Sequence, residues 1–373
     1  APCGLAIYES AVFGKSFMGN LFTCQFNMHK VQRHVLSPNG STFAAKDLDF
    51  LVSDNPDFHP TDVLEDADGS LLVVDTGGWY KLCCPTSQIA KPEVLGAIYR
   101  IRRKDGKPVK DPRGLKLEWE KASPNFLAKL LDDSRPFVRH RAIAELAKIG
   151  KTACDPLIKS LHSDKAIAVR RNAVWALTRI DSDEARTATR IALRDKDETV
   201  QQAAAHSAGI HRDSKAIAEL NRLLEAKSPH LRRKAATALG CIGDKRCVPA
   251  LLEAAQSSND RPLEHALIYA LIEIGDAEGT SLGLNSKNPY QQRAAFIALD
   301  QINGAKLSAK QLLPLLSSEH VILQKTALWL FSRHPEMAPD MAGFLKVKLA
   351  KAAGLSNDQR GELERQLSGF AHD

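Results

Sequence analysis

Seven related segments spaced about 31 residues apart constrain this chain more than any other feature. "VRHRAIAELAKIG" begins at Val138, "VRRNAVWALTRID" at Val169, "VQQAAAHSAGIHR" at Val200, "LRRKAATALGCIG" at Leu231 and "LEHALIYALIEIG" at Leu263, with weaker copies from Gln291 and Ile322. The steps are 31, 31, 31, 32, 28 and 31 residues. In the stronger copies apolar residues recur at offsets 0, 8 and 11 with small residues between them, which is one face of a helix. A shorter helical stretch precedes each, for example 153–161 and 215–224, and turn clusters such as Ser163-Asp164 and Lys227-Ser228-Pro229 divide the units. A two-helix unit of this length cannot bury its apolar face alone, so the units must stack. The spacing predicts helices and turns, and no strand, from residue 165 to residue 330.

Arginines recur at the start of the second helix of each unit: Arg139, Arg170, Arg171, Arg232 and Arg233. They can form a ladder to acids in the preceding turns (Asp133, Asp164, Asp195) or a basic ridge for a ligand. Asp133 precedes Arg139 by six residues, as Asp164 precedes Arg170, and this matched spacing favours the ladder.

Before residue 104 the period changes to that of strands. "GLAIY" (4–8), "NLFTCQF" (20–26), "KVQRHVL" (30–36) and "STFAAKDLDFLV" (41–52), with turns at Asn27-Met28-His29 and Ser37–Gly40, read as a four-stranded meander. "HPTDVLED", "SLLVVDT" and "AIYRIRR" (97–103) read as three strands of a second. Repeated four-stranded meanders argue for propeller blades. Two blades cannot close a ring, and the second lacks a fourth strand, so earlier blades are expected to precede Ala1. Asp66-Ala67-Asp68-Gly69 reads as a hairpin turn with Gly69 at positive φ. A calcium loop would need an oxygen ligand where Leu64 stands.

Charge and cysteine narrow the partners. Residues 1–104 carry 10 basic and 11 acidic side chains; the remainder carries 41 and 33, a net of +8 that is too diffuse for nucleic acid to be the expected partner. The seven cysteines include neither C-x-x-C nor C-x-x-C-H, so zinc-ribbon and covalent-haem spacings are absent. Cys241 and Cys247 read as small buried thiols rather than a bridge. No apolar run reaches the roughly 18 residues of a membrane span. "APCGLAIYES" reads as folded chain rather than a signal peptide, as in a mature product or an excised piece. No nucleophile elbow, phosphate loop or dinucleotide glycine pattern occurs, which sets aside hydrolase, kinase and nicotinamide chemistry.

In a meander, the second-to-third loop and the exit to the next blade share one edge. That edge should collect His29, the stretch 54–59 ending at His59, and the long segment 76–96 with Trp79, Tyr80, Lys81, Cys83 and Cys84. Asp66–Gly69 and Ser37–Gly40 should lie on the opposite edge, away from any pocket. Each residue also has a structural reading. The histidines can be plain loop residues, His34 a satisfied strand residue, Asp62 and Asp75 turn caps, and Trp79 and Tyr80 loop packing.

"GNLFTCQFNMHKVQRHVL", residues 57–103 ("DFHPTDVLEDADGSLLVVDTGGWYKLCCPTSQIAKPEVLGAIYRIRR") and the helical array together resemble one multidomain family. These are the propeller–HEAT–cytochrome proteins described as putative membrane-bound dehydrogenases with a haem-binding domain. Their propeller is similar to soluble quinoprotein glucose/sorbosone dehydrogenases. The resemblance implies a partial β-propeller of about two blades over 1–104, a linker over 105–120, and an α-α superhelix of HEAT repeats over 121–373. It implies a HEAT scaffold for a protein partner, or alternatively a piece of an extracytoplasmic (periplasmic) quinone- or haem-linked dehydrogenase of sugars or alcohols. His59, His29 and Asp62 would then be the candidate catalytic residues, and Asp75, Trp79, Tyr80 and Lys81 the cofactor or substrate face. Pyrroloquinoline quinone, calcium or haem would belong to the intact parent, beside its missing blades and cytochrome domain. The fragment alone is expected to be inactive.

Overall fold

The computed structural model describes residues 2–78, 91, 93–162, 166–256 and 260–368. It divides into two compact units, 1–189 and 190–373.

The first unit opens with a four-stranded antiparallel sheet in the order β1 (Pro2–Ile7), β2 (Leu21–Gln25), β3 (Lys30–Asn39), β4 (Thr42–Val52). A three-stranded antiparallel sheet follows in the order β5 (Pro60–Glu65), β6 (Leu71–Asp75), β7 (Ala97–Ile101). Both meanders agree with the period-2 pattern, with four and three strands among the described residues. Alternation decides which faces meet. Phe22, Cys24 and Val31 turn inward against Val63, Leu71 and Val73, and Tyr8 and Phe58 close the same core. Phe22 is fully buried, with its ring 4.9 Å from Phe50 and 6.1 Å from Tyr8. Leu5, Ile7, Leu64 and Ile98 alternate to the outer faces and are more than 40% exposed. The turn at 66–69 forms as expected, with Gly69 at φ +78° and its amide donating to the Asp66 carbonyl (2.8 Å).

Residues 105–120 carry no strand or α-helix, and their second half is held down by hydrogen bonds. Asp111 accepts from the amides of Leu115 (2.8 Å) and Lys116 (3.2 Å), and the Arg135 guanidinium donates to the Asp111 carbonyl (2.8 Å). Trp119 donates to the Gly114 carbonyl (2.7 Å) and lies under the Arg141 guanidinium (4.4 Å). After this strap come α1 (Pro124–Lys129), α2 (Pro136–Ile149), α3 (Cys154–Leu161) and α4 (Ile167–Thr178), around Leu131, Leu146, Leu157 and Leu177. Glu9, just past β1, reaches α2 directly: His140 Nε2 lies 3.1 Å from its carboxylate and Arg139 3.5 Å. The His140 hydrogen bond, set against partial burial, holds the Glu9 carboxyl below the usual range and raises the His140 imidazole. The unit boundary falls within α5 (Asp183–Ala192).

The second unit continues with α6 (Glu198–Ile210), α7 (Ile217–Leu224), α8 (Pro229–Ile242), α9 (Val248–Ala255), α10 (Arg261–Ile274), α11 (Ala277–Ser281) and α12 (Pro289–Gln301). It ends with α13 (Ala309–Leu312), α14 (Val321–Arg333), α15 (Ala338–Ala350) and α16 (Asn357–Ser368). The described residues of 165–330 contain no strand, as the repeat spacing predicts. Side-chain caps mark several starts: Asp197, Ser228, Asp260 and Asn288 each accept a backbone N–H in the first turn. The second helices approach closely because small residues meet. A Cβ on Gly240 of α8 would stand 2.8 Å from the Ala270 Cα of α10.

The arginine ladder takes a different form from the one expected. Arg139 donates to the Asp133 carbonyl (2.8 Å), while the Asp133 carboxylate is held by Arg135 (2.7 and 2.9 Å). Arg232 donates to the Leu224 (3.0 Å) and Ala254 (3.3 Å) carbonyls. Gln201, Gln292 and Gln324 do the same to Asp195, Leu284 and Ser318. The position lies over the end of the preceding helical turn, where carbonyls lack intrahelical partners, so any long donor serves. Arg170 is buried, and Asp164 lies outside the described residues. Arg232→Ala should therefore lower stability by about 1–3 kcal/mol and Arg232→Gln by clearly less, read from urea midpoints. Equal losses would assign the effect to charge.

Candidate functional site

The β2–β3 loop and the stretch before β5 do come together. His29, in the left-handed conformation at φ +52°, places Nδ1 2.8 Å from the Phe58 carbonyl. His59 is 5% exposed, with Nδ1 2.9 Å from the Gly77 carbonyl and 3.0 Å from that of Asp57. Carbonyls only accept, so both Nδ1 atoms carry a proton and donate it to the backbone. The rings are 5.3 Å apart, and Phe26 packs 4.6 Å from His59. Asp75 anchors the arrangement: its Oδ1 accepts from the backbone amides of His59 (2.8 Å) and Gly77 (2.9 Å). That is the turn-capping reading of Asp75.

Asp62 stands apart from this pair in its contacts. It is exposed, accepts from the Val63 amide (2.9 Å) and lies against Gly4 of β1. His34 is a satisfied strand residue, between Thr23 Oγ1 and Asp47 Oδ1, each at 2.7 Å. Trp79, Tyr80, Lys81, Cys83 and Cys84 lie outside the described residues. Cys24 and Cys247 are buried, which pushes their thiols up to about 12 and about 11; Cys241, expected to be buried, is exposed.

The other edge corrects an expectation. The Asp66–Gly69 turn borders a cavity of about 370 Å³ rather than lying away from any pocket. Its carboxylates are already matched. Asp66 pairs with Arg100 (2.6 Å) and Arg113, and Asp68 faces Arg100 and Arg102, both at 3.4 Å. Burial opposes ionisation at both, yet Asp66's bond from Arg100 and Asp68's bonds from Ser70 hold these carboxyls below the usual range.

The implied cofactors can be set against these residues. Carboxylates spent on arginine do not fit calcium at this turn, and among the described residues no three His, Cys, Asp or Glu side chains gather as metal ligands. Covalent haem lacks its C-x-x-C-H. Lys91 pairs with Asp57 (2.6 Å), two residues before His59.

In the second unit the position six residues into the repeat's second helix is exposed at Thr237, Tyr269 and Trp329, and half-buried at Ile297 of the intervening α12. Arg233, Lys234, His265 and Lys325 flank it. His265 stacks on Tyr269 at 6.1 Å, and the Arg333 guanidinium lies 5.0 Å from the Trp329 ring. Sequence periodicity located the buried face of these helices, and these aromatic and basic side chains are its complement.

Sequence models of HEAT repeats match residues 123–208 and 188–272. Residues 123–272 are HEAT repeats, and the helices that follow continue the array. Residues 1–105 match a family described only as a domain of unknown function, DUF7133. No curated protein matches the chain. Among solved structures, the CpcE–CpcF complex of phycocyanin lyase from Nostoc sp. PCC7120 is 22% identical, covering 58% of this chain and 93% of its own at a TM-score of 0.33. Human deoxyhypusine hydroxylase is 16% identical (61% and 99% covered, TM-score 0.29). E. coli YibA is 19% identical (72% and 99%, TM-score 0.38). The repeat assignment rests on the sequence models and the helix packing.

Proposed function

We propose that the HEAT repeats are a protein-binding scaffold attached to the end of a sugar-dehydrogenase-like β-propeller. The observation that carries the scaffold reading is the exposure of Tyr269 and Trp329, bordered by arginine and lysine. Aromatic and arginine side chains supply most of the energy at protein interfaces. HEAT repeats use side chains held on rigid helices for such contacts, so no loop needs to be ordered on binding. The propeller reading is supported by the two meanders and by the outer faces bearing Leu5, Ile7, Leu64 and Ile98, which further blades of a longer chain would cover. Such a parent would also carry the cytochrome domain and work in the periplasm. No helix among the described residues is long and apolar enough to cross a membrane.

The test uses the full-length protein in its own host. Native size-exclusion should show it in a complex, and Tyr269→Ala/Trp329→Ala should shift it to the free position. Elution as free protein in both cases would remove the scaffold reading.

A second reading, a piece of a quinone- or haem-linked dehydrogenase acting on sugars or alcohols, draws on the histidine pair. A buried imidazole whose Nδ1–H is held by two carbonyls has a fixed ring orientation, as a general base requires. His59→Ala in the intact parent should then lower turnover far more than His34→Ala. Equal activities would leave oxidation without its base.

A further inference from the structure

The cavity at the Asp66–Gly69 turn lies where the second sheet passes into the strap, and neither proposed function uses it. Its walls combine two chemistries. Val12, Phe13 and Val109 give it an apolar side, while Arg102, Arg103 and Lys107 bring three cations to its lining against one carboxylate, Asp68. That carboxylate is already engaged. It accepts from the Ser70 amide (2.9 Å) and hydroxyl (2.5 Å) and faces Arg100 and Arg102. Positive charge is thus in excess in the lining. The base is rigid: the Tyr8 hydroxyl donates to the Gly69 carbonyl (2.7 Å) and accepts from the Phe13 amide (3.1 Å), with the Tyr8 and Phe13 rings stacked 5.0 Å apart. A preformed wall loses little entropy on binding. The volume falls at the small end of ligand pockets.

We propose that this cavity binds a small amphiphilic anion, with a carboxylate or phosphate head held by Arg103 and Lys107 and an apolar body packed on Val12, Phe13 and Val109. A bare anion would leave the apolar wall wet, and a neutral apolar molecule would leave the cations unmatched. Only a molecule carrying both parts uses the whole site.

Calorimetric titration of the full chain tests this with four probes: phenylacetate, phenyl phosphate, phenylacetamide and inorganic phosphate. At least one of the two aromatic anions should bind, and the tighter one names the head group. Phenylacetamide should bind about tenfold or more weaker than the better anion, and inorganic phosphate weaker than phenyl phosphate. Arg103→Glu/Lys107→Glu changes only exposed side chains and should abolish binding while leaving the circular dichroism spectrum unchanged. Silence of both aromatic anions at millimolar concentration would overturn the proposal. So would amide binding equal to the better anion, inorganic phosphate equal to phenyl phosphate, or undiminished binding by the charge-reversed variant.

Discussion

Phe22→Ala is expected to lower the local stability of the two sheets by about 3–5 kcal/mol. Phe22 is fully buried and stands between Phe17, Phe50 and Tyr8, so truncation removes its contacts and leaves a hole among rings that cannot collapse together. Native-state hydrogen exchange of the β2 and β3 amides measures the effect. Phe43, also aromatic and also on the first sheet but 55% exposed, is the control. Its alanine variant should change the same amides by no more than about 0.5 kcal/mol. Similar effects at both positions would mean that the two sheets do not share the core described.

Gly240→Val should destabilise the second unit by about 2–3 kcal/mol. Its Cβ would meet the backbone of Ala270, not a movable side chain, so α8 and α10 would have to separate. Gly343→Ala in α15 should do the opposite and add about 0.5–1 kcal/mol, because its Cβ meets nothing within 4 Å. Urea unfolding followed by far-ultraviolet circular dichroism reads both, and two changes of the same sign would contradict the close approach of the second helices.

A pH effect of smaller size belongs to the same unit. His334 lies between Asp300 (2.5 Å) and Glu336 (2.7 Å), while Arg333 reaches the other Asp300 oxygen (2.8 Å). The Asp300 hydrogen bond, with help from Glu336 and against partial burial, raises the imidazole above its ordinary 6.5. A raised cation stabilises below the unfolded value and ceases to do so as pH rises through the folded one. The stability gap between wild type and His334→Gln should therefore be full below pH 6.5 and shrink above it; a gap that widens toward alkaline pH would reverse the assignment.

The repeat array and both meanders were legible because each rests on a period that side-chain burial enforces. The form of the arginine ladder was not. Spacing placed Arg139 six residues after Asp133, but it could not tell the backbone carbonyl from the carboxylate, and Arg135 had the shorter path to the latter. The convergence of His29 and His59 followed from connectivity alone. The exposure of Asp62 did not, because its place depends on the irregular register between Pro60 and Asp62. The cavity beside Gly69 was hidden for a similar reason: its walls come from residues 12–13, 68–70 and 102–109, which only the folded chain unites.

The central claim is that the second helices of the HEAT repeats present the surface that a protein partner occupies. Photocross-linking tests it most directly, with a benzophenone amino acid placed in the full-length protein, in its host, at Thr237, at Tyr269 or at the exposed Leu282 just after α11. The account predicts one discrete cross-linked species from positions 237 and 269 and none from 282. Cross-links from 282 alone, or from none of the three, would contradict it.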